Sequence, residues 1–256
     1  MPAPSRPFSL TGRVALVTGS STGLGRATAK CLGLAGATVA LNYANVKHRA
    51  DEALAELRGA GITAELFQAD VTSEAEIDRM VTAIEKSLGP VDILVVNATP
   101  AQPQKPIEEY DWAFYQQMLD FFVKSPYLLS RRILPGMKAR RHGRLINVTS
   151  EVFLLGVSPF SAYVAAKGGQ VGWSRSMARE LAPFQITVNM IAPGWIPVER
   201  HKDDPQAEKD AYLKTVPAGR WGVPDDVGWA AVYLASDEAG FVTGQSIAVN
   251  GGKTVW

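Results

Sequence analysis

The chain alternates short apolar runs with longer, helix-patterned stretches from one end to the other. Runs rich in Val and Ile fall at Val14–Thr18, Thr38–Asn42, Ala64–Gln68, Val91–Asn97, Leu145–Thr149, Thr187–Ala192 and Ser246–Asn250. Their near-continuous apolarity is that of parallel strands covered on both faces. Helical spacing separates them, as at Gly25–Ala35, Ala50–Gly59 and Glu74–Ser87. This alternation predicts an α/β fold, a doubly wound sheet of seven parallel strands with helices on both faces. No linker or repeat divides residues 1–256, so one domain is expected. Trp195 to Arg220 carries prolines, charges and little periodicity, and reads as a lid inserted near the end of the chain.

Composition narrows the function classes. Of 256 residues, 46% are hydrophobic and 20% charged, enough for a sizeable core and too apolar for disorder. Twenty-six Lys plus Arg against 25 Asp plus Glu leave a net charge of +1, with no electrostatic footprint for nucleic acid or an anionic membrane. The single cysteine, Cys31, excludes an internal disulfide framework, and three dispersed histidines give no expectation of a metal site. Without a signal peptide or a long apolar span, the chain reads as soluble and cytoplasmic.

The first candidate chemistry follows the first strand. Thr18-Gly19-Ser20-Ser21-Thr22-Gly23-Leu24-Gly25 opens a helical pattern. Glycines let the backbone turn sharply and approach a pyrophosphate, while the free amides and dipole of the helix N-terminus favour its charge. A purely structural glycine turn is the bland alternative. Gly19-Ser20-Ser21-Thr22-Gly23 also matches the elbow of a serine hydrolase with Ser21 as nucleophile. That reading needs a later acid and then a histidine, and only His48, His142 and His201 exist.

The second constellation begins where the fifth strand ends, at Ser150. Thirteen residues on comes Tyr163-Val164-Ala165-Ala166-Lys167, and a spacing of four puts Tyr163 and Lys167 on one helix face. A phenol is a poor acid-base group at neutral pH, but a neighbouring ammonium stabilises its phenolate. Alone, such a pair is usually a solvated helix face. Beside the glycine loop it gains meaning, because the carboxyl ends of the strands are where an open α/β sheet places its ligand crevice.

Together these marks make the sequence resemble the short-chain dehydrogenase/reductase family, nearest its 3-oxoacyl-acyl-carrier-protein reductase branch. The match runs over Leu10 to Gly252 and adds Asp70-Val71, Asn97-Ala98 and Pro193-Gly194. The resemblance implies a Rossmann-like fold and hydride transfer between a nicotinamide and a carbonyl or secondary alcohol carbon. It implies that Tyr163 exchanges the proton, that Ser150 positions the carbonyl, and that Lys167 holds the nicotinamide ribose and lowers the phenol pKa. It places Gly19, Ser21, Gly23, Leu24 and Gly25 on the cofactor phosphates, Asp70 and Val71 on the adenine, and Asn97 along the adenosine ribose. It sets Pro193, Gly194 and Ile196 beside the nicotinamide, and it implies a homotetramer built on the helices flanking the fifth strand.

Departures from the family pattern are as informative. Thr99 replaces a glycine, Phe122 stands at the position of the catalytic asparagine, and Val198 replaces a threonine after Pro-Gly. A dinucleotide-binding protein with altered catalysis is therefore the second hypothesis. The second strand ends Leu41-Asn42-Tyr43-Ala44 with no acid to repel a 2′-phosphate, which favours NADP over NAD, with Asn42 and Tyr43 at the cofactor. Lys47, His48 and Arg49 follow as candidate charges or as a solvated helix start. Glu151 and Trp195 are the candidate substrate contacts. Of two basic positions used for carrier docking, Arg141 matches one and Phe184 stands at the other. Gly251-Gly252-Lys253-Thr254 resembles a phosphate-loop ending but lacks its first glycine.

Overall fold

The computed structural model describes residues 7–255. Seven parallel strands form one sheet: β1 (Val14–Val17), β2 (Thr38–Tyr43), β3 (Ala64–Gln68), β4 (Ile93–Val96), β5 (Gly143–Val148), β6 (Ile186–Pro193) and β7 (Ser246–Val249). Their order is β3-β2-β1-β4-β5-β6-β7. The order reverses between β1 and β4, so a crevice opens outside their carboxyl ends. All seven predicted strands are present, β3 with the predicted bounds and the others within a few residues of theirs.

Alternate residues of each strand feed opposite faces. Ala15 and Val17 of β1 join one core with Leu32 of α1 (Gly23–Leu34), Leu57 of α2 (Lys47–Gly59) and Ala231 of α9 (Pro224–Ala235). Val14 and Leu16 join the other with Ile77 of α3 (Glu74–Ser87), Leu129 of α5 (Ser125–Arg140) and Leu181 of α7 (Ser161–Leu181). Helices α1 and α9 approach closely because α9 presents Gly228 to Cys31, which is buried and serves as a packing residue.

Two regions depart from the simple alternation of strand and helix. Before β5 the chain forms α4 (Trp112–Leu119), a π-helical turn at Asp120–Lys124, and α5. The π turn widens the helix around Phe122, and Pro135 inside α5 removes a ladder bond, which together blur the 3.6-residue pattern. After β5 lies a short helix, α6 (Val152–Leu155). The segment 195–220 contains a 3₁₀ turn, Glu199–His201, and α8 (Gln206–Leu213). Among the described residues no helix is long and apolar enough to cross a membrane.

Candidate active site

The glycine loop is fixed from beneath by side chains. Thr18 Oγ1 accepts the amides of Asn97 at 2.9 Å and Ala98 at 3.1 Å. Asn97 Nδ2 donates to the carbonyls of Thr18 (3.0 Å) and Gly19 (3.1 Å), so both its amide protons brace the loop and only its oxygen is left for a ribose. Asn42 Oδ1 accepts the Gly19 amide at 3.2 Å, and its Nδ2 donates to the Ala69 carbonyl at 3.0 Å. The Asn42 backbone also pairs with buried Ser20. Asn42 is thus corrected from a cofactor contact to a buried strut: its side chain enters the sheet layer, where only hydrogen bonds within the protein can satisfy it. Tyr43 is buried as well, which leaves Ala44 to Arg49 as the exposed residues after β2.

The loop fits a pyrophosphate. Gly19 and Gly23 have φ of +61° and +55°, and a Cβ on Gly19 would stand 2.8 Å from Ala98 Cα. A Cβ on Gly25 would strike the Gly19 carbonyl. No side chain caps the N-terminus of α1 and its first turn holds no acid, so its amides are free for an anion. Thr99 does not disturb this arrangement, because its φ is not positive and Ala98 makes the close approach to Gly19. Val198 covers Gly23 from the segment after β6, 3.4 Å from where a side chain there would begin.

Other cofactor candidates are placed less directly. Asp70 Oδ1 accepts the Thr72 amide and hydroxyl, each at 2.8 Å, and organises the turn after β3. The Val71 side chain packs in the core, with the face that holds Leu16 and Val96, which leaves its backbone for an adenine. Pro193 ends β6, and Gly194 lies so near Tyr212 that a Cβ would stand 2.5 Å from its hydroxyl oxygen. Ile196 is buried in the first core. Lys47 is bound to Asp51 at 2.7 Å across one helical turn, which offsets its charge.

Ser150, Tyr163 and Lys167 gather at the end of β5. Tyr163 stacks on Phe160 with ring centroids 4.7 Å apart and meets the edge of Phe122 at 5.2 Å. Burial pushes its phenol up to about 12, against relief from the Arg200 charge and the Ser150 hydroxyl. Lys167 is buried too; its Nζ donates to the Val148 carbonyl at 2.7 Å and to Gln170 Oε1 at 3.0 Å. Burial, and then Arg200, hold its ammonium well below the ordinary lysine range. Desolvation thus opposes charge on both groups, and Lys167 turns its protons toward Val148 and Gln170.

Glu151 is corrected from a substrate contact to a structural anchor. Its carboxylate is only 4% exposed and accepts Tyr212 Oη (2.8 Å) and Asn250 Nδ2 (3.0 Å), with Lys253 Nζ at 3.4 Å. The phosphate-loop lookalike is thereby explained, since Lys253 serves Glu151 and covers the Tyr212 ring. Trp195 packs its indole against His201, Tyr212 and Trp221, and lines a cavity of about 390 Å³ with Ile196, Arg220 and Trp221. Sequence reasoning passed over Tyr212, Asn250, Gln170 and Arg200, which occupy no motif.

The hydrolase reading finds no support in this geometry. Ser21 has no hydrogen bond to a histidine among the described residues. His142 is bound to Asp237 beside the start of β5, at the opposite end of the sheet.

Comparison with known proteins agrees with the geometry. A family profile described as enoyl-(acyl carrier protein) reductase matches residues 19–254. A 2-dehydro-3-deoxy-D-gluconate 5-dehydrogenase of Formosa agariphila is 37% identical over 96% of this chain and 94% of its own length. The chain belongs to the short-chain dehydrogenase/reductase family. A 3-oxoacyl-acyl-carrier-protein reductase of Staphylococcus epidermidis is 36% identical over 93% of this chain and 97% of its own. The structure of a gluconate 5-dehydrogenase from Burkholderia cenocepacia, in complex with NADP and tartrate, superposes with a TM-score of 0.89 at 31% identity, covering 96% of each chain. This family member is accordingly an NAD(P)-dependent oxidoreductase with a Rossmann-like fold.

Proposed function

We propose that the protein uses NADP to interconvert a ketone and a secondary alcohol on a small substrate that carries a carboxylate. The observation that carries this reading is Arg200. It is exposed on the 3₁₀ turn Glu199–His201 that directly follows Val198, which lies over Gly23 of the glycine loop, so the turn carries its charge at the loop, and that charge lowers the pKa of both Tyr163 and Lys167. Among the described residues it has no carboxylate partner; its Nε donates to His201 Nε2 at 3.1 Å. A cation held beside a site without a counter-ion is suited to a carboxylate ligand, which a guanidinium binds in a two-pronged fashion. Relatives named for gluconate derivatives support a sugar-acid class.

The nicotinamide, when bound, supplies or accepts the hydride. The residues of this chain do the rest: the loop Gly19 to Gly25, with the amides of Ser21 and Leu24, holds the phosphates, and Asn97, Asp70, Pro193 and Gly194 border the remainder of the cofactor. Ser150 orients the carbonyl oxygen and Tyr163 gives or takes its proton at the phenol oxygen. NADP is supported by the absence of an acid at the end of β2 and by neighbours that hold it. Residues 195–220 act as the lid of a single domain. Assembly as a homotetramer through α5 and α7, in the cytoplasm, completes the reading, supported by exposed Tyr127 on α5.

Carrier-protein substrates fit less well. Arg141 donates to the Pro183 carbonyl at 3.0 Å, and Phe184 lies under Lys138. The test is a NADPH-linked panel of keto acids, the matching neutral esters, and an acyl thioester. Arg200→Met should raise KM for keto acids about tenfold or more and leave esters unaffected. Equal turnover of acids and esters by the unmodified protein would refute the carboxylate assignment.

A further inference from the structure

The ammonium of Lys167 sits in a closed box. Two of its walls are oxygen acceptors, the Val148 carbonyl at 2.7 Å and Gln170 Oε1 at 3.0 Å. The third is the face of Phe122, whose ring centroid lies 3.7 Å from Nζ. Phe122 comes from the π turn, so the widened helix pushes its ring under the lysine and edge-on to Tyr163. A phenyl face attracts a cation but donates and accepts no conventional hydrogen bond. The only polar side chain holding Lys167 among the described residues is therefore Gln170, one turn further along α7.

Gln170 is unusually placed for a core residue. It is 0% exposed, and its Nε2 has no hydrogen-bond partner among the described residues. An amide buried with two unsatisfied donor protons costs stability, about 1–3 kcal/mol, so packing does not account for it. Leu or Met would fill the same volume without that penalty. Beside it, Asn147 Nδ2 donates to Ser174 Oγ at 2.9 Å, and Ser174 Oγ donates to the Gln170 carbonyl at 2.7 Å. The polar seam thus continues from Lys167 into the protein, while the aromatic wall at Phe122 closes the other direction.

We infer that Gln170 is a positioning residue for Lys167, and that it supplies the polar hold that Phe122 cannot. The inference rests on the reading of Tyr163 and Lys167 as the reacting pair. Gln170 touches neither substrate nor reacting atoms; it sets where the ammonium stands relative to the Tyr163 ring, now 5.6 Å from Nζ. A small displacement of a group so close to the chemistry is costly in rate.

The experiment compares Gln170→Met with Gln170→Glu, which keeps the acceptor oxygen. Met removes the orphaned amide, so the melting temperature should hold or rise while kcat falls about tenfold or more with KM nearly unchanged. Its pH profile should shift, and Gln170→Glu should restore part of the loss. A Gln170→Met protein that keeps kcat and pH profile within about twofold of the original overturns the inference, as does a fall in activity matched by loss of folding. Tyr163→Phe, run alongside, keeps the two levels apart. Its inactivity upholds the reacting pair whatever Gln170 does, and its full activity would overturn both.

Discussion

Tyr212 of α8 donates its hydroxyl to Glu151, the residue that follows Ser150, at 2.8 Å. The same oxygen accepts the Trp195 amide at 2.7 Å. One hydroxyl therefore ties together α8, the turn at Trp195 after β6 and the end of β5. Burial and the adjoining carboxylate push its phenol up, so it stays protonated and able to donate across the working pH range.

Tyr212→Phe should loosen α8 without unfolding the sheet. Losing these two bonds costs about 1–3 kcal/mol, spent locally because α8 has no buried residues of its own. Amide exchange over residues 206–213 should accelerate, and KM should rise more than kcat falls. Unchanged protection of α8 would show that the tether does not hold it.

Reaction direction should depend on pH in a set sense. Because burial pushes the Tyr163 phenol up to about 12, the group is protonated at neutral pH and ready to donate, as carbonyl reduction requires. Oxidation needs the phenolate, whose fraction rises about tenfold per pH unit below that value. The kcat for alcohol oxidation should climb with pH and show no plateau below about pH 9, while reduction stays level over the same range. A plateau near neutrality would mean that the phenolate is stabilised by something other than the groups that now face it.

The glycine loop offers a control within one protein. Gly25→Ala drives a methyl into the Gly19 carbonyl and the Asn97 amide, both fixed, so NADP affinity should fall at least about tenfold. Gly59→Ala, at the end of α2, meets nothing within 4 Å and has no positive φ, so it should be neutral or stabilise by about 0.5 kcal/mol. Asn42→Leu should cost about 2 kcal/mol by stranding the Gly19 amide and the Ala69 carbonyl. Thermal melts and fluorescence titration with NADP distinguish a binding loss from a folding loss.

What could be read from the sequence was whatever depended on local pattern. Seven apolar runs became seven strands, and the spacings of Gly19 to Gly25 and of Tyr163 to Lys167 brought the glycine loop and the Tyr163–Lys167 pair to the same end of the sheet. What could not be read was the partner of a polar residue distant in sequence. Glu151 looked like a pocket residue because it follows Ser150, yet its partners Tyr212, Asn250 and Lys253 lie 61, 99 and 102 residues away. Asn42 sat at a position that usually faces cofactor, and only the three-dimensional path of β2 and β3 shows that it faces Ala69 and Gly19. Gln170 and Phe122 are 48 residues apart, and their shared hold on one ammonium has no signature in either segment.

The end of the sheet opposite the site holds a histidine that should weaken the fold on acidification. His142 lies 3.3 Å from Asp237 Oδ1, which also receives Arg144 at 3.2 Å, while Arg13 reaches the other oxygen. Burial, followed by the charges of Arg144 and Arg13, lowers the His142 pKa from 6.5, so the folded protein binds its proton less readily than the unfolded chain does. Where the unfolded state holds more protons, stability rises with pH. The contribution is therefore complete above pH 6.5 and is lost progressively as pH falls through the lowered value. His142→Gln keeps a hydrogen-bonding side chain without a titrating ring, and its melting temperature should decline less steeply than that of the original protein from pH 6.5 to about pH 5. Parallel slopes in the two proteins would assign the acid lability of that interval elsewhere. The carboxylate of Asp237, itself held below its ordinary value, is lost only at lower pH and does not contribute there.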